Sequence, residues 1–155
     1  MATAIAKKTA SQLLLDFPQA YRAEPLQRIA AIKEGVQAGH LGQLSEAMDR
    51  SQEWLLRLLD LPRATVTRKM RAGQALTSDQ SERVLGLSRL VGQVAHMVQE
   101  SGDPSAFDPA TWTAYWLEQA NPALGNHCPA EFMDTLAGQE MVAGLLRQMQ
   151  SGAYA

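Results

Sequence analysis

Residues 53–73, EWLLRLLDLPRATVTRKMRAG, decide the fold. Trp54, Leu55, Leu58 and Leu59 give the first half a compact apolar face at helical spacing, and Pro62 ends that element while permitting another to start. The second half is short, basic and rich in hydroxyl side chains, and Gly73 stops it. Two short helices, Glu53 to Asp60 and about Arg63 to Ala72, joined only by Leu61 and Pro62, are the ingredients of a helix-turn-helix. One face of such a second helix fits a DNA major groove. There Arg and Lys reach phosphates or guanine edges, and Thr methyl and hydroxyl groups meet base edges or phosphates. Arg63, Thr65, Thr67, Arg68, Lys69 and Arg71 are the candidate DNA contacts, with Val66 and Met70, four apart, as the buried stripe. The bland alternative is a solvated face of an ordinary helical bundle. The absence of any acid between Asp60 and Asp79 weighs toward nucleic acid.

Outward from this segment the chain reads as helical almost throughout, so the fold class is all-α. Downstream, TSDQSERVLGLSRLVGQVAHMVQE over 77–100 predicts the longest helix. Thr77 caps it, Gln80 completes a capping box, and Val84, Leu87, Val91, Val94 and Val98 recur every three or four residues. Gly86 and Gly92 each cost about 1 kcal/mol relative to alanine inside a helix, which marks them as candidates for close helix contacts. Upstream, Pro25 to Lys33 carries Leu26, Ile29, Ala30 and Ile32 at helical spacing, and a short helix follows from Leu41 toward Asp49. The first residues, MATAIAKKTASQLLLDF, lack a secretory core because Asp16 cuts the apolar run; they read as a flexible arm or a short docking helix. Downstream, ESGDPSAFDP is the linker candidate. Asp108-Pro109 opens a helix with Trp112, Trp116 and Leu117, and NPALGNHCP makes a turn. A short helix after Pro129 puts Phe132, Met133 and Leu136 inward, and a last one runs from Gln139 toward Gln150. The predicted organisation is an arm over 1–24, a dimerising helix-turn-helix domain over 25–100 and a second helical domain over 105–155.

A net charge of -2 over 155 residues conceals strong segregation. Residues 50–89 carry eight basic and four acidic side chains, whereas from residue 90 onward Arg147 stands alone against seven acids. Two working surfaces of opposite sign follow. One cysteine excludes an internal disulfide framework, and no apolar run of about 18 residues is present, so a cytoplasmic address and no membrane association are expected.

Candidate chemistry is sparse. His40, His96 and His127 belong to no ligand pattern, and His127-Cys128 with Glu131 or Asp134 reads as turn packing rather than a metal site, Cys128 being a small buried hydrophobe. Glu131 and Asp134 stand at a helix start, where acids cap. Trp112 and Trp116, in acidic surroundings, read as core. With no phosphate-binding glycine loop, the chain reads as a binding protein without catalytic residues, metal or cofactor.

The segment LLRLLDLPRATVTRKMRAGQALTSDQSERVLGLSRLV resembles the helix-turn-helix and following helix of the Xre-type antitoxins that accompany RES-domain toxins, with Leu76, Ser78, Ser81, Glu82, Arg83 and Leu85 in register. The tail from Trp116 looks like the toxin-binding domain of that family, through Trp116-Leu117, Asn121-Pro122-Ala123-Leu124-Gly125, Pro129, Asp134-Thr135, Gly138, Val142, Leu146, Gly152 and Tyr154. The resemblance implies a non-catalytic partner of an NAD-degrading RES-domain toxin that also binds the operator of its own operon. It implies that the last residues lie at the toxin's active-site mouth. Carried over, this nominates Gly152, Tyr154 and Ala155, with Leu145, Leu146 and Met149 as the docking or supporting face. The sequence departs from the family at Gln148, Met149 and Gln150, where an arginine, a hydrophobic residue and a glutamate are usual, with Arg147 one place earlier. It departs again at Ala120, where a proline usually precedes Asn-Pro. A homodimer within a larger toxin-antitoxin complex is expected, because one small helix-turn-helix rarely makes enough contacts alone. The alternative is a stand-alone transcriptional regulator whose C-terminal module binds another protein.

Overall fold

Thr77 opens the long central helix as the sequence predicts. Its hydroxyl accepts the Gln80 backbone N–H at 3.2 Å, while the Gln80 side-chain oxygen accepts the Thr77 N–H at 3.1 Å. In the computed structural model, which describes residues 9–102 and 104–152, the helices in chain order are α1 (Ala10–Leu15), α2 (Phe17–Arg22), α3 (Pro25–Glu34), α4 (Leu41–Ala47), α5 (Gln52–Leu58), α6 (Arg63–Ala72), α7 (Ser78–Ser101), α8 (Pro109–Leu117) and α9 (Leu136–Ser151). Tight 3-10 turns occupy Ala38–His40, Pro104–Ala106, Pro122–Leu124 and Pro129–Phe132. Among the described residues the only extended pairings are isolated bridges, Gln37 with Ala75 and Asn121 with His127, so the fold is all-α.

The helix α7 is the axis, and its apolar positions are buried on several sides because α1, α2, α3, α8 and α9 all pack on it. A Cβ at Gly92 would collide with the Phe17 carbonyl and the Tyr21 side chain, so α2 approaches α7 to backbone contact and only glycine fits. Gly86 has a similar role toward α9. A side chain there would displace the Gln139 amide, which donates to the Arg83 carbonyl at 3.0 Å and the Met133 carbonyl at 2.9 Å.

Of the arm and the short docking helix, residues 9–24 take the helical form, as α1 and α2 packed on α7. Leu13 and Leu14 are buried, Thr9 caps α1, and the Ser88 hydroxyl of α7 donates to the Leu14 carbonyl at 2.7 Å. Six-residue helices carry almost no stability of their own, and these two form because α7 offers them an apolar wall and a polar anchor. Residues 1–8 lie outside the described residues.

One contiguous core runs from Leu13 through Leu59 and Val91 to Leu117 and Leu146, so the segments on either side of residue 103 share their interior. Outside α6, Leu26, Ile29 and Leu136 point out instead of into the core. Leu26 is 80% exposed because Ala31 and Ile32 supply the inner face of α3, and Leu136 is exposed because the chain caps one turn earlier than expected. Thr135, not a residue near Gln139, opens α9, its hydroxyl accepting the Gly138 N–H at 2.9 Å. The segment after Pro129 forms a single 3-10 turn, with Met133 fully buried behind it.

Candidate nucleic-acid and partner surfaces

Ser51 caps α5, its hydroxyl accepting the Trp54 N–H at 3.1 Å. At the other end Asp60 takes a left-handed conformation (φ 52°), as Asp49 does before α5 (φ 55°), and the Leu61 N–H returns to the Leu56 carbonyl at 2.8 Å. Arg83 of α7 completes the turn, donating from Nε to the Leu59 carbonyl at 2.8 Å and from Nη2 to the Asp60 carbonyl at 3.3 Å. Leu61 is then buried, and Pro62 leads into α6 at a fixed angle. The role of Arg83 was not legible in the sequence, because it depends on carbonyls 24 and 23 residues away.

The helix α6 is held by Val66, which is fully buried, and ends at Gly73 in the left-handed region with the Gln74 N–H bonded to the Lys69 carbonyl at 2.9 Å. Met70 departs from the expected stripe. It is 37% exposed and rests on the Gln52 side chain, whose Nε2 lies 3.2 Å from its sulfur. The opposite face gathers Arg63, Thr67, Arg68 and Arg71 along one shallow surface, with Ala64 and Ala72 between them. Thr65 and Lys69, one turn apart, are half-buried on the flank. Arg63 pairs with Glu53 at 3.3 Å, but both are largely solvated, so the pair is worth well under about 1 kcal/mol and can be exchanged for a phosphate. Among the described residues Arg68, Lys69 and Arg71 form no ion pair. Such a face can neutralise a polyanion and approach it closely, since alanines and threonines leave room between the guanidiniums.

The C-terminal module is organised by a tight turn. Asp108 caps α8 by accepting the Ala110 and Thr111 N–H groups at 3.0 and 3.3 Å, and Trp112 stacks on Trp116 with centroids 5.8 Å apart. Trp116 is buried and Trp112 half-buried, consistent with their reading as core. Cys128 is half-buried rather than buried, its thiol donating to the Glu118 carbonyl at 3.2 Å. Glu131 accepts the Cys128 N–H at 2.9 Å and meets His127 Nδ1 at 3.2 Å. The backbone bond first and the histidine second hold its carboxyl below the usual carboxylate range. The arrangement is a capped turn, and no group of three metal-ligating side chains occurs among the described residues.

Leu145 and Leu146 face inward and support α9. They are 5% and 0% exposed, in the core that α9 shares with the rest of the chain. Met149 is half-buried beside them. The side chains of α9 that face outward include Met141, 42% exposed, and Gln148, two turns further on the same face. Gly152 ends α9 in the left-handed region, and the Gln150 amide donates to Glu100 at 2.8 Å, tying that end to α7. Tyr154 and Ala155 lie outside the described residues. The salt bridge from Arg50 to Glu118, 3.1 Å, joins the turn before α5 to the end of α8, a contact across 68 residues that no local pattern announces.

No helix among the described residues is long and apolar enough to cross a membrane. Residues 27–89 match the antitoxin Xre-like helix-turn-helix domain, and residues 105–152 match the antitoxin Xre/MbcA/ParS C-terminal toxin-binding domain. The chain is 45% identical over 135 residues to the Prs ADP-ribosylating antitoxin of Sphingobium sp. (strain YBL2), covering 87% of this chain and 85% of that protein. The first match spans α6 with its basic face, and the second spans α8 and α9. With both in this order and a relative of that identity, the chain belongs to the Xre-type antitoxins and serves as the antitoxin of a toxin-antitoxin pair.

Proposed function

We propose that the protein neutralises a cognate RES-domain toxin by direct binding, its C-terminal segment from Gly152 onward physically keeping NAD out of the toxin's active site, and that it binds its own operator through α6 as an autoregulatory homodimer in the cytoplasm. The observation that carries this reading is the division of labour on one core. Arg63, Thr67, Arg68 and Arg71 share a basic face on α6, while the acid-rich C-terminal module carries α9 and the chain end. A module with that charge repels a nucleic-acid backbone and suits a basic protein cleft. The outward face of α9 around Met141 and Gln148 takes the docking role first given to Leu145 and Leu146, which support the helix from inside.

The relative's name couples an antitoxin to ADP-ribosylation. Transfer of ADP-ribose from NAD and hydrolysis of NAD break the same nicotinamide–ribose bond, with a protein side chain or water as the acceptor. Release of nicotinamide therefore reports either chemistry. The test is co-expression with the protein encoded beside it, followed by size-exclusion chromatography with light scattering and an assay of nicotinamide release. A stable complex in which release is suppressed is expected; full release with this protein in excess contradicts the proposal.

A further inference from the structure

The helices α3, α7 and α9 enclose a cleft of about 460 Å³, within the range of roughly 300–1,000 Å³ occupied by small-molecule sites. Three arginines line it, one from each helix: Arg28, Arg89 and Arg147. None of them forms an ion pair or hydrogen bond among the described residues. Glu82 and Glu140 line the same cleft without pairing to them, and the floor is aliphatic, with Leu90 buried at its base. Bringing like charges together in a half-enclosed space is unfavourable unless something else neutralises them. Arg28 registers that cost: burial first and Arg89 second lower its proton affinity, opposed only in part by Glu82.

We infer that this cleft binds an organic diphosphate, such as a nucleoside or sugar diphosphate. Arginines drawn from three helices can together supply the several N–H donors that a diphosphate's oxygens accept. The two carboxylates are acceptors for sugar hydroxyls, and the aliphatic floor accommodates the less polar remainder. No residue of α6 lines the cleft, so the site is separate from the basic face proposed for DNA. A bound diphosphate bridges α3, α7 and α9 and so braces the helix that leads to the C-terminal segment. The inference does not depend on the toxin-blocking proposal.

The test is titration calorimetry of the full chain with ADP and with inorganic pyrophosphate at constant ionic strength. Saturable binding of either, weakened at least tenfold by Arg89→Gln and by Arg28→Gln and unchanged in an R68Q/R71Q variant, is the expected result. Arg89 is exposed, so R89Q keeps the test open should R28Q fold poorly, and Arg89→Lys should lose less than R89Q. No saturable binding of either probe overturns the inference. Equal loss in R68Q/R71Q overturns it as well, because binding would then belong to α6, as does arginine-dependent binding of an acidic peptide in place of both diphosphates.

Discussion

The helices α6 and α9 bear the two candidate surfaces in opposite ways. Only Val66 of α6 is buried, and Arg63, Arg68 and Arg71 face water, so its arginines are available to a partner. In α9, Gln139, Val142, Leu145 and Leu146 are all buried against the core. A helix that is mostly surface declares its role through charge. A helix that also builds the core spends its leucines on stability, and burying each contributes about 1.5–3 kcal/mol, so apolar residues there are poor guides to a docking face.

Four variants sharpen or break this contrast. The largest effect is expected from Leu146→Ala, which should destabilise the chain by about 2–5 kcal/mol in urea unfolding. A variant of unchanged stability that fails only to bind toxin would return Leu146 to the interface. Next, Arg68→Ala with Arg71→Ala should leave stability within about 0.5 kcal/mol while lowering the slope of log affinity for operator DNA against log salt by about 2. A slope that does not change would remove these arginines from the phosphate contacts. Met141→Ala should weaken toxin binding by about 1–2 kcal/mol with little effect on unfolding, as expected of an exposed anchor; unaltered affinity would move the docking face elsewhere.

The smallest effect concerns pH. Because Glu131 is held below its ordinary pKa of about 4.3, its contribution to stability is present above that value and is lost as pH falls through the lower folded-state pKa. Glu131→Gln should therefore flatten the acid limb of the stability curve slightly, measured by thermal unfolding from about pH 6 down to about pH 3, which spans the carboxylate range. An unchanged acid limb would mean that the cap on Cys128 is not felt in folding.

Much of the fold was legible because its signals are local. Thr77 and Gln80 announce the start of α7, Gly73 the end of α6, and Asp108-Pro109 the start of α8. The basic face of α6 was legible for the same reason, except that Met70 and the flanking Thr65 and Lys69 required the actual rotation of the helix. What escaped depends on distant partners. The short helices α1 and α2 exist through contacts with Ser88 and Gly92, the turn of the helix-turn-helix is fastened by Arg83, and Arg50 reaches Glu118. Leu26, Ile29 and Leu136 were misplaced because a hydrophobic residue at helical spacing fixes a face only when the helix has a wall to meet on that side.

The central claim is that the two surfaces act independently on one core. The most direct test measures operator affinity and suppression of nicotinamide release side by side, for a variant lacking Gly152 to Ala155 and for one with Arg63, Arg68, Lys69 and Arg71 changed to alanine. The account predicts that the deletion releases the toxin and leaves operator binding intact, while the charge variant does the reverse. Loss of both activities in both variants, with folding intact, would contradict it.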